Sequence, residues 1–311
     1  MLAPPTFASL QDHVSRVSDV EFWHPYVSEI LERHGLTDAR QELGTGFNQS
    51  YPTFLYGDVV VKLFGYSHAW HARHADERAA YILIATDPEI AAPSLLGDGR
   101  LYDDAEASWP YLILSRMPGV ASWRADLSPG QQGTLAAELG RQVRRIHALN
   151  PSGIATHEDW ATINVAAAAA RSSLPPHLVA QVDEYVARLG PFDRVFVHCD
   201  IVANHVYVED GRYTGIIDWG DAIVADRHME LIQIYRDTFG CDKALFRVFL
   251  EAYDWPVDHD FPLRAMGFAL HRQAVGLVQH HTIDVFMPIA ARYSLQDIAT
   301  LDELATVLFA Y

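Results

Sequence analysis

Asp210-Gly211 constrains the fold of this chain more than any other pair of residues. The dipeptide is a strong signal for a tight two-residue turn, and β-prone runs flank it, Val206-Tyr207-Val208 before and Tyr213 to Ile217 after. The runs are expected to pair antiparallel with Glu209 opposite Arg212. That register sets His205 opposite Ile216, and alternation then gathers His205, Ile216 and Asp218 on one face at one end of the hairpin. His198 and Asp200 stand just before that end. Two carboxylates and an imidazole are thus expected in one small volume, as metal-assisted phosphoryl transfer requires.

With 311 residues, half of them hydrophobic, the chain is long enough for two lobes around a cleft. It contains no run of about 18 or more apolar residues, and its N-terminus lacks the charged start and apolar core of a secretory signal, so a cytoplasmic protein is expected. Two cysteines, Cys199 and Cys241, form neither a disulfide framework nor a Cys-x-x-Cys pair, and are expected to be reduced thiols. A net charge of -17 argues against nucleic acid or an anionic membrane as the partner. A cationic small molecule fits better, although acidity also serves solubility and does not select a substrate.

Upstream, apolar residues from Phe22 to Leu31 recur at helical spacing and stop at Gly35, predicting a helix over 20–35. Short β-prone runs at 40–47 and 51–56 precede Asp58-Val-Val-Val-Lys62-Leu-Phe-Gly65, a strand that sets one lysine among apolar neighbours. Glu77 opens the helical run ERAAYILIA. Between the short runs, Gly44 to Ser50 is glycine-bearing and able to approach a phosphate closely. No GxxxxGK[ST] run occurs, so a Walker-type site is unsupported. A boundary is expected near Pro118-Gly119. Beyond it, helices are predicted over 133–149, 161–171, 176–189, 230–239, 243–253, 262–280 and 294–309. No solenoid repeat is present.

His198-x-Asp200, His205 five residues after the aspartate, and Ile216-Ile-Asp218-Trp219-Gly220-Asp221 after the hairpin resemble the aminoglycoside phosphotransferase family. The resemblance implies an α+β, protein-kinase-like two-lobe fold, with a small N-terminal lobe (1–117) built on an antiparallel sheet and a larger, mostly helical C-terminal lobe (118–311). It implies that Asp200 is the catalytic residue that positions and deprotonates the acceptor hydroxyl, and that Asp218 binds magnesium. His205 stands where most members carry asparagine and a minority branch carries histidine. It is therefore the expected second metal ligand, with Asn204 taking that role if the loop slips by one residue. By the same resemblance Lys62 contacts the nucleotide phosphates, with Glu77 as its helix partner and Asp76 as runner-up. The segment Trp109 to Gly119 is the hinge, whose backbone at Ser115, Arg116 and Met117 meets the purine of ATP or GTP. Within the family, the chain is most similar in appearance to actinomycete-type hygromycin phosphotransferases, which implies an aminoglycoside acceptor and antibiotic resistance.

Each signal has a plainer reading. His198 is more often a structural histidine than an acid or base in such a loop. Cys199 replaces the family's common glycine and reads as a buried small hydrophobe. Asp221, Asp226 and Glu230 are candidates to meet the amines of a cationic substrate, against the reading that they are solvated surface. A zinc site built from His198, Asp200, His205 and Asp218 is the competing metal chemistry, and the ordered Lys62, Glu77 and hinge argue against it. His68, His71, His74, His280 and His281 are expected on solvated faces or loops. A kinase for another hydroxylated molecule (a macrolide, a choline-like or amino alcohol) and a non-catalytic pseudokinase are the alternatives to an aminoglycoside enzyme.

Overall fold

A computed structural model describes residues 2–310 apart from 47–50, 67–69, 104–106, 155–158 and 281–282. Phe47 to Ser50 of the glycine-bearing loop, His68 and His281 therefore lie outside the described residues. The chain forms two compact units: Met1–Pro88 with Ala92–Pro118 and Trp219–Asp221, and Glu89–Ala91 with Gly119–Asp218 and Ala222–Tyr311.

The first unit begins with α1 (Leu10–Arg16) and α2 (Val20–Arg33). Asp19 starts α2 by accepting the Phe22 N–H at 3.0 Å, and Gly35, at φ 65°, takes the left-handed conformation that closes it. The buried stripe of α2, Trp23, Val27, Ile30 and Leu31, packs with Phe54, Val61, Leu63 and Trp109 in one core. The sheet comprises β1 (Leu43–Thr45), β2 (Thr53–Tyr56), β3 (Val59–Leu63), β4 (Leu95–Arg100) and β5 (Pro110–Ser115). Its order is β1-β2-β3-β5-β4 and every pairing is antiparallel. Lys62 lies on the central strand β3, opposite Thr53 on one side and Leu112 on the other. α3 (Trp70–Ile84) starts well before Glu77, so the periodic run that began the prediction is only its second half. His74 on this helix departs from the solvated reading. Its ring packs 5.2 Å from that of Phe64 with Nε2 buried, whereas His71 is exposed.

The second unit is mostly helical. It opens with β6 (Val120–Ala121) and α4 (Pro129–Ala148). The helix α4 starts before the expected Gly133 because Ser128 and Gln131 form a reciprocal capping box with Pro129 in the first turn. The predicted helix over 161–171 is two, α5 (Asp159–Thr162) and α6 (Val165–Ala169), because the Asn164 side chain accepts the Ala167 N–H and caps a new start. The helix over 176–189 likewise divides into α7 (Pro176–Val179) and α8 (Val182–Ala187).

Next come β7 (Val195–Val197), β8 (Val206–Glu209), β9 (Arg212–Ile216) and β10 (Ile223–Ala225). β7 pairs with β10, and β6, β8 and β9 form a three-stranded sheet. Asp210 and Gly211 both have positive φ, 50° and 75°, and Glu209 faces Arg212 as the turn demands. The register is not the simple one. Val208 faces Tyr213 and Tyr207 faces Gly215, so Thr214 is an extra residue, and Val206 rather than His205 lies opposite Ile216.

The stretch over 230–239 is a 3-10 turn (Arg227–Glu230), α9 (Leu231–Gln233) and a π-helical turn (Ile234–Thr238) in succession. α10 (Lys243–Tyr253) and α11 (Phe261–His280) follow. The single helix predicted over 294–309 is instead a 3-10 turn at Leu295–Asp297 and α13 (Leu301–Phe309), capped by Thr300, while α12 (Met287–Arg292) precedes both.

Candidate active site

In the first unit, β3 carries Lys62 into the core and α3 brings Glu77 to it. Nζ lies 3.0 Å from Oε1 and 2.7 Å from Oε2, with Lys62 9% and Glu77 1% exposed. The rings of Tyr51 and Phe64 stand 5.8 and 5.6 Å from the ammonium. A buried pair of this kind contributes little net stability, because desolvating both charges offsets their attraction, but losing one partner is costly. Its result is a lysine held in one direction.

At the end of β5 the Ser115 N–H donates to the Ser94 carbonyl at 2.9 Å, and the Arg116 N–H donates to the Asp58 carbonyl at 2.7 Å. These two donors are spent inside the protein, so among the N–H groups of the three hinge residues only that of Met117 is left for a purine. Among the described residues the Met117 N–H donates to no backbone carbonyl. Asp221, also in this unit, is ion-paired with Arg73 at 2.8 Å, and its side chain is 15% exposed. Its charge is already matched.

The second unit holds the loop that follows β7. Cys199 is fully buried at φ 64°, a conformation glycine adopts without strain, which explains why glycine suits this position. His198 is also fully buried. Its Nδ1 accepts the Asp200 N–H at 3.1 Å, so Nε2 carries the proton and donates to the Ile217 carbonyl at 3.1 Å. Burial holds its pKa below the ordinary imidazole value. With both nitrogens committed to backbone, His198 has no lone pair for a metal, and the four-ligand zinc site is excluded on its own donor set.

His205 is arranged differently. Its Nδ1 faces the Asp200 carbonyl at 2.9 Å and must be the protonated nitrogen, because a carbonyl only accepts. The other nitrogen, Nε2, lies 3.6 Å from Asp218 Oδ2. Asp218 itself sits at φ 63°, a sparsely populated conformation for aspartate of the kind that clusters at functional sites. With the ring neutral, Nε2 would turn its lone pair toward this carboxylate, a pair of donors that suits a magnesium ion taking few protein ligands and completing its shell with water and phosphate oxygens. Asn204 lies in the preceding turn, and it is His205 that faces Asp218. Despite the displaced register the expected convergence occurs, through the loop rather than the ladder.

Asp200 is 26% exposed at its side chain. Oδ2 stands 3.2 Å from His205 Nδ1, and Oδ1 accepts from Gln233 Nε2 at 2.8 Å. Gln233 Oε1 in turn accepts from Arg272 Nε at 2.8 Å. Neither residue was singled out from the sequence. A neutral amide and one arginine in an apolar helix carry no local signal, and only the fold brings α9 and α11 to the loop.

Asp226 and Glu230 do not meet a substrate; both are 0% exposed. Asp226 accepts from the Asp193 N–H, the His228 N–H, His228 Nδ1 and Arg264, at 2.7 to 3.0 Å. Burial alone would raise its pKa, yet the hydrogen bond and charge of His228 outweigh this and hold the carboxyl below its ordinary value. Glu230 Oε1 accepts the N–H groups of His198 and Cys199, fastening the loop before Asp200. There too burial would raise the pKa, and the neighbouring His147 and the His198 N–H bring it net below the ordinary value. Reading these acids as substrate contacts therefore fails, because distant donors have drawn them into the core.

Residues 48–264 match the family described as the phosphotransferase enzyme family, and the chain belongs to it. A GDP and kanamycin complex of APH(2'')-IIia is similar with a TM-score of 0.63 at 16% identity, covering 88% of this chain and 99% of that one. The macrolide 2'-phosphotransferase MphH from Brachybacterium faecium, an apoenzyme, gives a TM-score of 0.59 at 19% identity, covering 92% and 98%. At these identities the likeness establishes the protein-kinase-like fold. A curated relative, the lysine-specific demethylase JMJ21 of Arabidopsis thaliana, is 24% identical over 205 residues, 48% of this chain. The chain spans only 22% of that relative's length.

Proposed function

We propose that the protein is a magnesium- and nucleotide-dependent O-phosphotransferase that moves the γ-phosphoryl of ATP or GTP to a hydroxyl of a cationic small molecule, an aminoglycoside of the hygromycin B kind. In this reading residues 1–117 bind nucleotide and 118–311 carry catalysis and acceptor binding. The observation that carries the proposal is the set Asp200, His205 and Asp218, where one imidazole lies 3.2 Å from the first carboxylate and 3.6 Å from the second.

Asp200 orients the acceptor hydroxyl for in-line attack and takes its proton through Oδ2, while Oδ1 stays with Gln233. Lys62, held by Glu77, places a fixed positive charge against phosphate oxygens, and the Met117 N–H supplies a donor to the purine edge. His205 Nε2 and Asp218 would hold a magnesium ion, which would supply neutralisation of phosphate charge. His205 Nδ1 turns its proton to the Asp200 carbonyl, so in the neutral ring Nε2 is the nitrogen that carries the lone pair.

The net charge of -17 favours a cationic acceptor over nucleic acid or an anionic membrane, and antibiotic resistance would be the biological result. Among the described residues no helix is long and apolar enough to cross a membrane. The withdrawal of Asp226 and Glu230 into the core, with Asp221 already paired, favours keeping a second acceptor class in view. That class is a macrolide or another hydroxylated molecule less dependent on acidic contacts. The deciding experiment measures ATP and GTP consumption with hygromycin B, kanamycin, spectinomycin and a macrolide in turn. Transfer to an aminoglycoside supports the proposal, transfer to the macrolide alone replaces the acceptor, and nucleotide binding without transfer to any acceptor identifies a pseudokinase.

A further inference from the structure

Arg272 is 1% exposed, yet among the described residues its guanidinium has few partners. Nε donates to Gln233 Oε1 at 2.8 Å, NH2 stands 4.0 Å from Asp200 Oδ1, and NH1 has no hydrogen-bond partner. A buried cation with one neutral hydrogen-bond acceptor and a carboxylate oxygen 4.0 Å away is a poor stabilising device, since its desolvation costs more than those contacts return, and apolar side chains of similar size would fill the space more cheaply. What the arrangement does achieve is directional. A guanidinium can only donate, so the amide end of Gln233 that faces it must be the carbonyl. The opposite end, facing Asp200, must then be the NH2. Arg272 thereby removes the amide flip, and Asp200 Oδ1 always meets a donor.

We infer that Gln233, oriented by Arg272, is a positioning residue for Asp200: it holds Oδ1, fixes the plane of the carboxylate, and leaves Oδ2 as the oxygen presented to the acceptor hydroxyl. The inference rests on the assignment of Asp200 proposed above. Three elements meet in the clamp, the loop after β7, α9 and α11. Gln233 is also the last residue before the π-helical turn Ile234–Thr238, a local widening that recurs at functional sites. The charged and titratable groups around the carboxylate are His205 at 3.2 Å, Arg272 at 4.0 Å and His198, whose ring accepts the Asp200 N–H. Gln233 is thus the neutral member of the set, acting by direction rather than charge.

Gln233→Glu is the discriminating variant, because it keeps the shape and the acceptor for Arg272 but turns a carboxylate oxygen toward Asp200. With the fastest acceptor from the four-compound panel, the folded variant is expected to lose roughly 10- to 100-fold in kcat. The KM for nucleotide should stay at the wild-type value. Arg272→Lys, which still donates to Gln233 Oε1, should lose less than Arg272→Met. Should Gln233→Glu fail to fold, the double variant Gln233→Met/Arg272→Met removes the polar chain at nearly constant volume and is expected to fold with the same kcat loss. A wild-type kcat in either folded variant, while Asp200→Asn loses at least about 100-fold, overturns the clamp and leaves the proposed function standing. Turnover by Asp200→Asn at the wild-type rate overturns both.

Discussion

Asp200 and Asp218 lie in the same stretch of chain as Asp226 and Glu230, but the two pairs differ in whether their side chains reach solvent. The first two are 26% and 42% exposed at their side chains; the second two are fully buried, and Asp226 alone takes four hydrogen bonds. Acidity and nearness to a motif therefore do not identify a ligand-binding carboxylate. Oxygen atoms within reach of solvent do, and substitutions in the two pairs should fail in opposite ways.

The largest effect is expected at Asp200. Asp200→Asn should lower turnover by roughly 10²- to 10⁴-fold, with nucleotide binding retained and a melting curve close to that of the wild type. Single-turnover assays with a parallel thermal melt would show whether activity and stability separate. Glu230→Ala should reverse that pattern. Leaving the His198 and Cys199 N–H groups buried without an acceptor should cost about 3 to 5 kcal/mol, read by urea unfolding.

The buried Lys62–Glu77 pair combines both behaviours. Lys62→Met should cost a similar ~3 to 5 kcal/mol by stranding the Glu77 charge, and Lys62→Met/Glu77→Met should recover most of that stability without recovering nucleotide affinity. Calorimetric titration beside chemical denaturation distinguishes the two.

A smaller effect is expected from pH. Burial is the main cause that holds the pKa values of His13, His147 and His271 below the ordinary 6.5. Above 6.5 these rings are neutral folded and unfolded, so the stability is fully present. As pH falls below 6.5 the unfolded chain takes up protons first, and stability should drop by at most about 1.4 kcal/mol per pH unit for each histidine until the folded values are passed. Urea midpoints between about pH 7.5 and about pH 5 would test the slope. The smallest expected change is at the hairpin turn. Gly211→Ala should cost about 1 to 2 kcal/mol, because Gly211 sits at φ 75° and an added Cβ would also meet the Gln131 side chain.

Much of this was legible because the informative signals are local. Asp210-Gly211 dictates its turn, a lone lysine in an apolar strand stands out, and Glu77 opens a periodic run. What stayed hidden depends on distant partners. Thr214 bulges for reasons no dipeptide states, and Asp226 owes its burial to Arg264, far along the chain. Gln233 acquires meaning only when Arg272 arrives on α11. The expected gathering of His205 and Asp218 occurs although the register behind it differs, because both residues lie in the loops just beyond the paired strands.

Cys199 gives the loop before Asp200 a built-in reporter. Its thiol is fully buried, so a thiol reagent can modify it only while that loop has opened away from its packing. The modification rate in the folded protein, resolved from that of Cys241 by peptide mass spectrometry, thus measures the opening free energy of the catalytic loop. A ligand that clamps Asp200 in place should slow Cys199 labelling, giving a binding assay that needs neither turnover nor knowledge of which hydroxyl is modified.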